Sequence, residues 1–142
     1  TVGEASGVEP AKRGALVHAV TSPRMFTRDD PYVNILRATI ATFAASVGGA
    51  NIITTLPFDS VVGLPSDFSR RIARNVQVVL SEESNIGRVN DPAGGSWYVE
   101  SLTDSLARAA WAWFGELDAA GGADQFGDHD HARRITELIS TP

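Results

Sequence analysis

The chain has no cysteine. That excludes disulfides, thiolate metal sites and a cysteine nucleophile together, and it is compatible with a cytoplasmic protein. It has no apolar run near the roughly 18 residues that a membrane helix needs, and its first fourteen residues carry no apolar signal core. It has no excess of basic residues. Twelve Lys and Arg stand against 17 Asp and Glu, a net charge of −5, which argues against nucleic acid or an anionic membrane as partner. Its glycines fall into neither the G-x-G-x-x-G nor the P-loop pattern; Gly94-Gly95 is a bare pair. What is present is ordinary: 142 residues, 43% hydrophobic and 20% charged, enough for one globular domain.

Three strand-then-helix units follow one another. The apolar run Ala15 to Ala19 predicts a buried strand. A polar loop, Thr21 to Asp30, leads to a helix from Pro31 to Val47, with Asp29 or Asp30 as cap and Gly48-Gly49 as stop. Val33, Leu36, Ile40, Phe43 and Val47 form its apolar stripe. Asn51 to Leu56, rich in β-branched residues, predicts the second strand, and Asp67 to Ser84 its helix. That helix places Ile72, Val76, Val79 and Leu80 on one side. Arg88 to Asn90 is a short third strand. A turn-rich run and the strand-like Trp97-Tyr98-Val99 follow. The third helix runs from Leu102 to Ala120, capped by Ser101 or Thr103 and ended by Gly121-Gly122. Its stripe is Leu102, Leu106, Ala109, Trp113 and Leu117. Strand and helix alternating at about 35 residues mean an α/β chain with a parallel sheet. Whether the sheet is open or closed does not follow from the pattern.

Residues 71 to 100 carry more than pattern. They hold Arg71-Ile72-Ala73-Arg74-Asn75, then Glu82-Glu83, then Asp91-Pro92-Ala93-Gly94-Gly95-Ser96 and Trp97-Tyr98-Val99-Glu100. This block resembles the signature of the methylmalonyl-CoA mutase family, the adenosylcobalamin (vitamin B12)-dependent acyl-CoA mutases. It departs at Val76, where Thr or Gln is usual. The resemblance implies that the three βα units are the C-terminal part of a (β/α)8 TIM barrel, since a whole barrel takes about 250 residues. Residues 1–14 are then a leading loop, 15–122 the partial acyl-CoA barrel domain, and 123–142 a C-terminal tail or linker helix.

Barrel sites lie in the loops after the strands. Active family members resemble R-x-H-x-Q-T-S-G after the first of these strands. Here Leu16, Val20 and Pro23 replace the Arg, Gln and Gly, while His18, Thr21 and Ser22 remain. The resemblance makes His18 a substrate contact; read from its place alone, it is a structural imidazole at a strand end. After the second strand the family's L-H-T-N is Ile53-Thr54-Thr55-Leu56, and Phe58, Asp59, Gly63, Leu64 and Pro65 survive beyond it. This Leu-Pro-Phe-Asp form resembles the small (beta) subunit of heterodimeric mutases, which does not carry the active site. Gly63 and Glu100 are cofactor-binding by resemblance, near the corrin; read locally, Gly63, Gly94 and Gly95 make turns.

No residue is assigned as catalytic and none as a metal ligand. Asp128-His129-Asp130-His131 reads as solvated linker and is not the D-x-H-x-x-G run that ligates cobalt. Glu82 and Glu83 are adjacent on a helix and do not face each other. The expectation is a structural segment of the non-catalytic small subunit of methylmalonyl-CoA mutase, an isomerase that interconverts methylmalonyl-CoA and succinyl-CoA. Its partners would be the catalytic subunit or the remaining barrel segment, with acyl-CoA in the complex. Adenosylcobalamin belongs to that complex, and this chain alone is expected to bind none and to be inactive. Two other readings stand beside it: a segment of an active mutase subunit with altered acyl specificity, and a non-enzymatic interaction module.

Overall fold

A computed structural model describes residues 2–121. They fall into two compact units that meet in sequence at Pro92 and Ala93. Gly122, the Asp128 to His131 run and the 123–142 tail lie outside the described residues.

The first unit opens with a one-turn helix, α1 (Val2–Ala5), and a 3₁₀ turn at Pro10–Lys12. Strand β1 (His18–Val20) leads through a 3₁₀ turn at Pro23–Met25 into helix α2 (Val33–Val47). Strand β2 (Ile52–Thr54) leads into helix α3 (Asp67–Glu82). The two strands pair in parallel, His18 against Ile52 and Val20 against Thr54. This is the expected βαβ arrangement, mixed helix with short parallel strands. Asn51 anchors the ladder's entry: its side chain accepts from the Val17 amide at 2.9 Å and its own amide donates to the Val17 carbonyl.

The helices begin and end for local reasons. Helix α2 starts at Val33, not Pro31: its N-cap is Tyr32, which makes no capping bond, and Asp30 accepts from the Tyr32 amide at 3.2 Å in the turn before it. Gly49, at φ +79, ends α2 in a conformation that glycine adopts without strain. Ser66 caps α3 by accepting from the Ser69 amide.

Four expectations fail. Ala15 to Ala19 is not a buried strand: β1 is His18–Val20, and Leu16, Val17 and Val20 are exposed, because among the described residues β1 is paired on one edge only. Arg88 to Asn90 is not a strand. Asn85 at φ 54 ends the α3 segment, Ile86–Arg88 form a 3₁₀ turn, and Asp91 sits at φ 50. Val89 is extended between two left-handed residues, and no ladder forms there. Trp97-Tyr98-Val99 is not strand-like either: it is the first turn of α4 (Trp97–Ala119), so the cap is Ser96, not Ser101 or Thr103. Strand propensity reflects packing on a pleated surface, and these three residues have no such surface. The fourth failure is the α2 stripe. Leu36, Ile40 and Phe43 are exposed, and α2 instead buries Asn34, Ala38 and Thr42.

In the first unit the buried apolar residues are Ala38, Phe58, Ala73 and Leu80. Phe58 organises its surroundings: Tyr32 stacks on it with centroids 5.2 Å apart, and Phe68 meets it edge-on at 6.1 Å. The described part of the second unit is a turn followed by α4, whose stripe residues Leu106, Ala109, Trp113 and Leu117 are half-buried while Leu102 is exposed. Gly121, at φ 96, follows it.

Candidate functional site

β1 and β2 lie side by side, and His18 at the start of β1 meets Thr54 at the end of β2. Parallel register sets His18 beside Ile52, and the His18 side chain reaches two residues along. Its Nε2 lies 2.8 Å from the Thr54 hydroxyl. Thr54 stands where the family pattern has a histidine, so a retained residue, His18, is bonded to an altered one. Thr21, buried, closes the pair of loops: its amide donates to the Thr54 carbonyl, and its hydroxyl accepts from the Leu56 amide at 2.8 Å. Ser22 turns back to accept from the Arg24 amide. Leu16 and Val20, the apolar replacements, are exposed.

A buried polar network beneath these loops was not singled out from the sequence. Asn34 has no exposed surface. Its Oδ1 accepts from the Thr27 amide, and its Nδ2 donates to the carbonyls of Thr27 and Phe58. One side chain therefore fixes the loop after β1 to the loop after β2. Two turns further on, Thr42 donates to or accepts from Thr55 at 2.8 Å, and Gln77 of α3 donates to the same Thr55 hydroxyl at 3.2 Å. The signal was there: Asn34, Ala38 and Thr42 recur at every fourth residue, a small and polar stripe opposite the apolar one.

Asp59, a survivor of the second loop, is half-buried. Its Oδ2 accepts from the amide and the hydroxyl of Ser66, at 3.1 and 3.0 Å. Burial pushes its carboxyl up, but hydrogen bonding from Ser69 and Ser66 outweighs burial and holds it below its ordinary value. Asp59 thus ties its loop to the start of α3. Beside β2 and α3 lies a groove of about 460 Å³ lined by Thr54, Thr55, Arg70 and Arg74 among others.

Gly63 faces open space, with no atom within 4 Å of where a Cβ would stand. Glu100 lies in the second unit and turns back on its own loop, where Oε1 accepts from the Gly95 amide at 3.2 Å. Gly95 has φ +78, so the Asp-Pro-Ala-Gly-Gly-Ser run is a turn closed by the first helical carboxylate after it. Among the described residues no group of three or more His, Asp and Glu could hold a metal ion. No helix among them is long and apolar enough to cross a membrane.

A family model described as methylmalonyl-CoA mutase matches residues 4–135. A methylmalonyl-CoA mutase small subunit from Propionibacterium freudenreichii subsp. shermanii is 59% identical over 140 residues, which are 98% of this chain and 22% of that protein. A second small subunit, from Streptomyces virginiae, is 60% identical over 121 residues, 85% of this chain and 20% of that protein. The methylmalonyl-CoA mutase of Escherichia coli (strain K12) is 45% identical over 132 residues, 93% of this chain and 18% of that protein. The chain spans about a fifth of the length of these relatives.

Proposed function

The chain belongs to the methylmalonyl-CoA mutase family, and we propose that it is a structural segment of a non-catalytic small subunit. The assembled enzyme would interconvert methylmalonyl-CoA and succinyl-CoA, with acyl-CoA held by the catalytic subunit. In this reading residues 15–122 are part of a (β/α)8 acyl-CoA barrel, 1–14 lead into it and 123–142 follow it. One observation carries the reading. Leu16 ahead of β1, Val20 at its end and Leu56 beyond β2 are apolar where the active family pattern has polar groups, and His18 and Thr54 are bonded to each other. A pocket that has lost a hydrogen-bonding group forgoes about 1–3 kcal/mol for each strong contact.

Adenosylcobalamin supplies the radical to this reaction class. The described residues do not fit it as a resident group. Glu100 is committed to the Gly95 amide, and the one described imidazole, His18, has its Nε2 on Thr54. We therefore assign the cofactor to the catalytic subunit.

The test is an assembled enzyme with His18→Ala or Thr54→Ala in the small subunit. Both should keep kcat and KM within about twofold. A fall of about 100-fold or more, the scale of losing a group that acts in the transition state, would overturn the reading. Titration of the isolated chain with adenosylcobalamin should leave its visible spectrum unchanged.

A further inference from the structure

Gln77, Thr55 and Thr42 form a hydrogen-bond chain whose direction the contacts fix. The Thr42 hydroxyl lies 2.8 Å from the Ala38 carbonyl, which can only accept, so the single Thr42 proton is spent there. The 2.8 Å contact between Thr42 and Thr55 must then use the Thr55 proton. Thr55 in turn accepts from the Gln77 side-chain amide at 3.2 Å. The order therefore runs from Gln77 of α3 to Thr55, from Thr55 to Thr42, and from Thr42 to the Ala38 carbonyl of α2. Thr55 donates one bond and accepts one, and it is the member bonded to both helices.

The place of Thr55 makes this chain more than a clamp between helices. It directly follows β2 and is buried, as is Thr42. The residues on either side of it are held from the β1 side. Thr54 meets His18 by its hydroxyl and the Thr21 amide by its carbonyl, and the Leu56 amide donates to the Thr21 hydroxyl. Three consecutive residues thus tie the end of β2 to β1 and its loop, to α2 and to α3. A buried chain of hydrogen bonds is cooperative, because each bond polarises the next and a lost member leaves its neighbour without water.

We propose that Thr55 couples the two helices to the strand end, so that loosening either helix at this chain loosens the hold on Leu56 and on the other helix. Helices α2 and α3 also pack directly on each other, and the experiment has to separate that contact from the chain. It follows amide hydrogen exchange by mass spectrometry in the full polypeptide that carries this chain. Thr42→Val removes one end of the chain at nearly constant shape, and Gln77→Met removes the other. Thr42→Val should speed exchange in α3 and in the peptide that contains Leu56 by about threefold or more, the scale of one net hydrogen bond. Gln77→Met should do the same in α2 and in the Leu56 peptide. In a Thr55→Val background neither substitution should add to these rates, because the link is already cut. Thr55→Ser keeps the hydroxyl and should stay within about twofold of the parent. Cross-effects of equal size with and without the Thr55 hydroxyl would assign the coupling to direct packing and overturn the inference. Exchange that changes only in the substituted helix would overturn it as well. If Thr42→Val fails to fold by circular dichroism, Gln77→Met, at a half-buried site, carries the same test; Thr55→Ala stands in for Thr55→Val on the same condition.

Discussion

The side-chain amide of Asn34 donates to the carbonyl oxygen of Phe58 across 2.9 Å, grips both polar backbone atoms of Thr27, and accepts from the Arg37 guanidinium at 3.2 Å. A fully buried amide with three partners is costly to remove, because each partner is left without water. Asn34→Ala should lower stability by about 3 kcal/mol or more. Urea unfolding would read this as a lower midpoint at unchanged slope. Asn75→Ala, on the exposed side of α3, should stay within about 0.5 kcal/mol of the parent. Equal losses at both sites would remove Asn34 from its role as the link between the two loops.

Asp59 should make the first unit sensitive to acid. Its folded carboxyl lies below the ordinary value of 3.8, so folding favours the charged form. The contribution is complete above the unfolded value and is lost as pH falls through the lower folded one. Asp59→Asn should therefore be less stable than the parent at neutral pH, and the gap should close below about pH 3.8. Thermal melts at several pH values check this. A gap that does not change with pH would mean that the side chain acts by shape and not by charge.

Glu100 is expected to act on its own helix and not on a corrin. Glu100→Ala removes the acceptor of the Gly95 amide and should cost α4 about 0.5–1 kcal/mol, the range for losing a capping contact. Cofactor affinity of the assembled enzyme should not change. Reduced cobalamin binding with helix content unaltered would return Glu100 to the cofactor site.

What the sequence revealed depended on whether the deciding interaction was local. The Gly48-Gly49 stop acts within a few residues, and the two longer helices of the first unit lie within about two residues of their expected bounds. The parallel pairing of the first two strands was also legible, because alternation of strand and helix permits little else. The failures were contextual. Val89 is extended but lies between two left-handed residues, which no strand-propensity scale registers. Trp97 to Val99 have strand-forming side chains, yet the Gly95 turn and Ser96 start a helix there. The α2 stripe was read correctly as apolar and wrongly as buried, since periodicity shows that a face exists and not what covers it. At the site, resemblance marked His18 and the altered position of Thr54, but their bond depends on register. Asn34 and Thr42 were passed over because polar residues in a helix read as its wet side.

The pairing of β1 with β2 also has a consequence in time. Val17 and Asn51, which open the ladder, are 34 positions apart in the chain. Neither strand has a nearer partner among the described residues. Helix α2 lies wholly between them and needs only local contacts, which form in about a microsecond. The ladder must wait for closure of the whole intervening stretch, an entropic cost that grows with the logarithm of its length. On a ribosome β1 therefore emerges well before its partner and stays unpaired until α2 and the residues after it have been made. In that interval α2 shortens the distance the two strands must cross, so slowing its formation would delay the sheet without touching a strand residue.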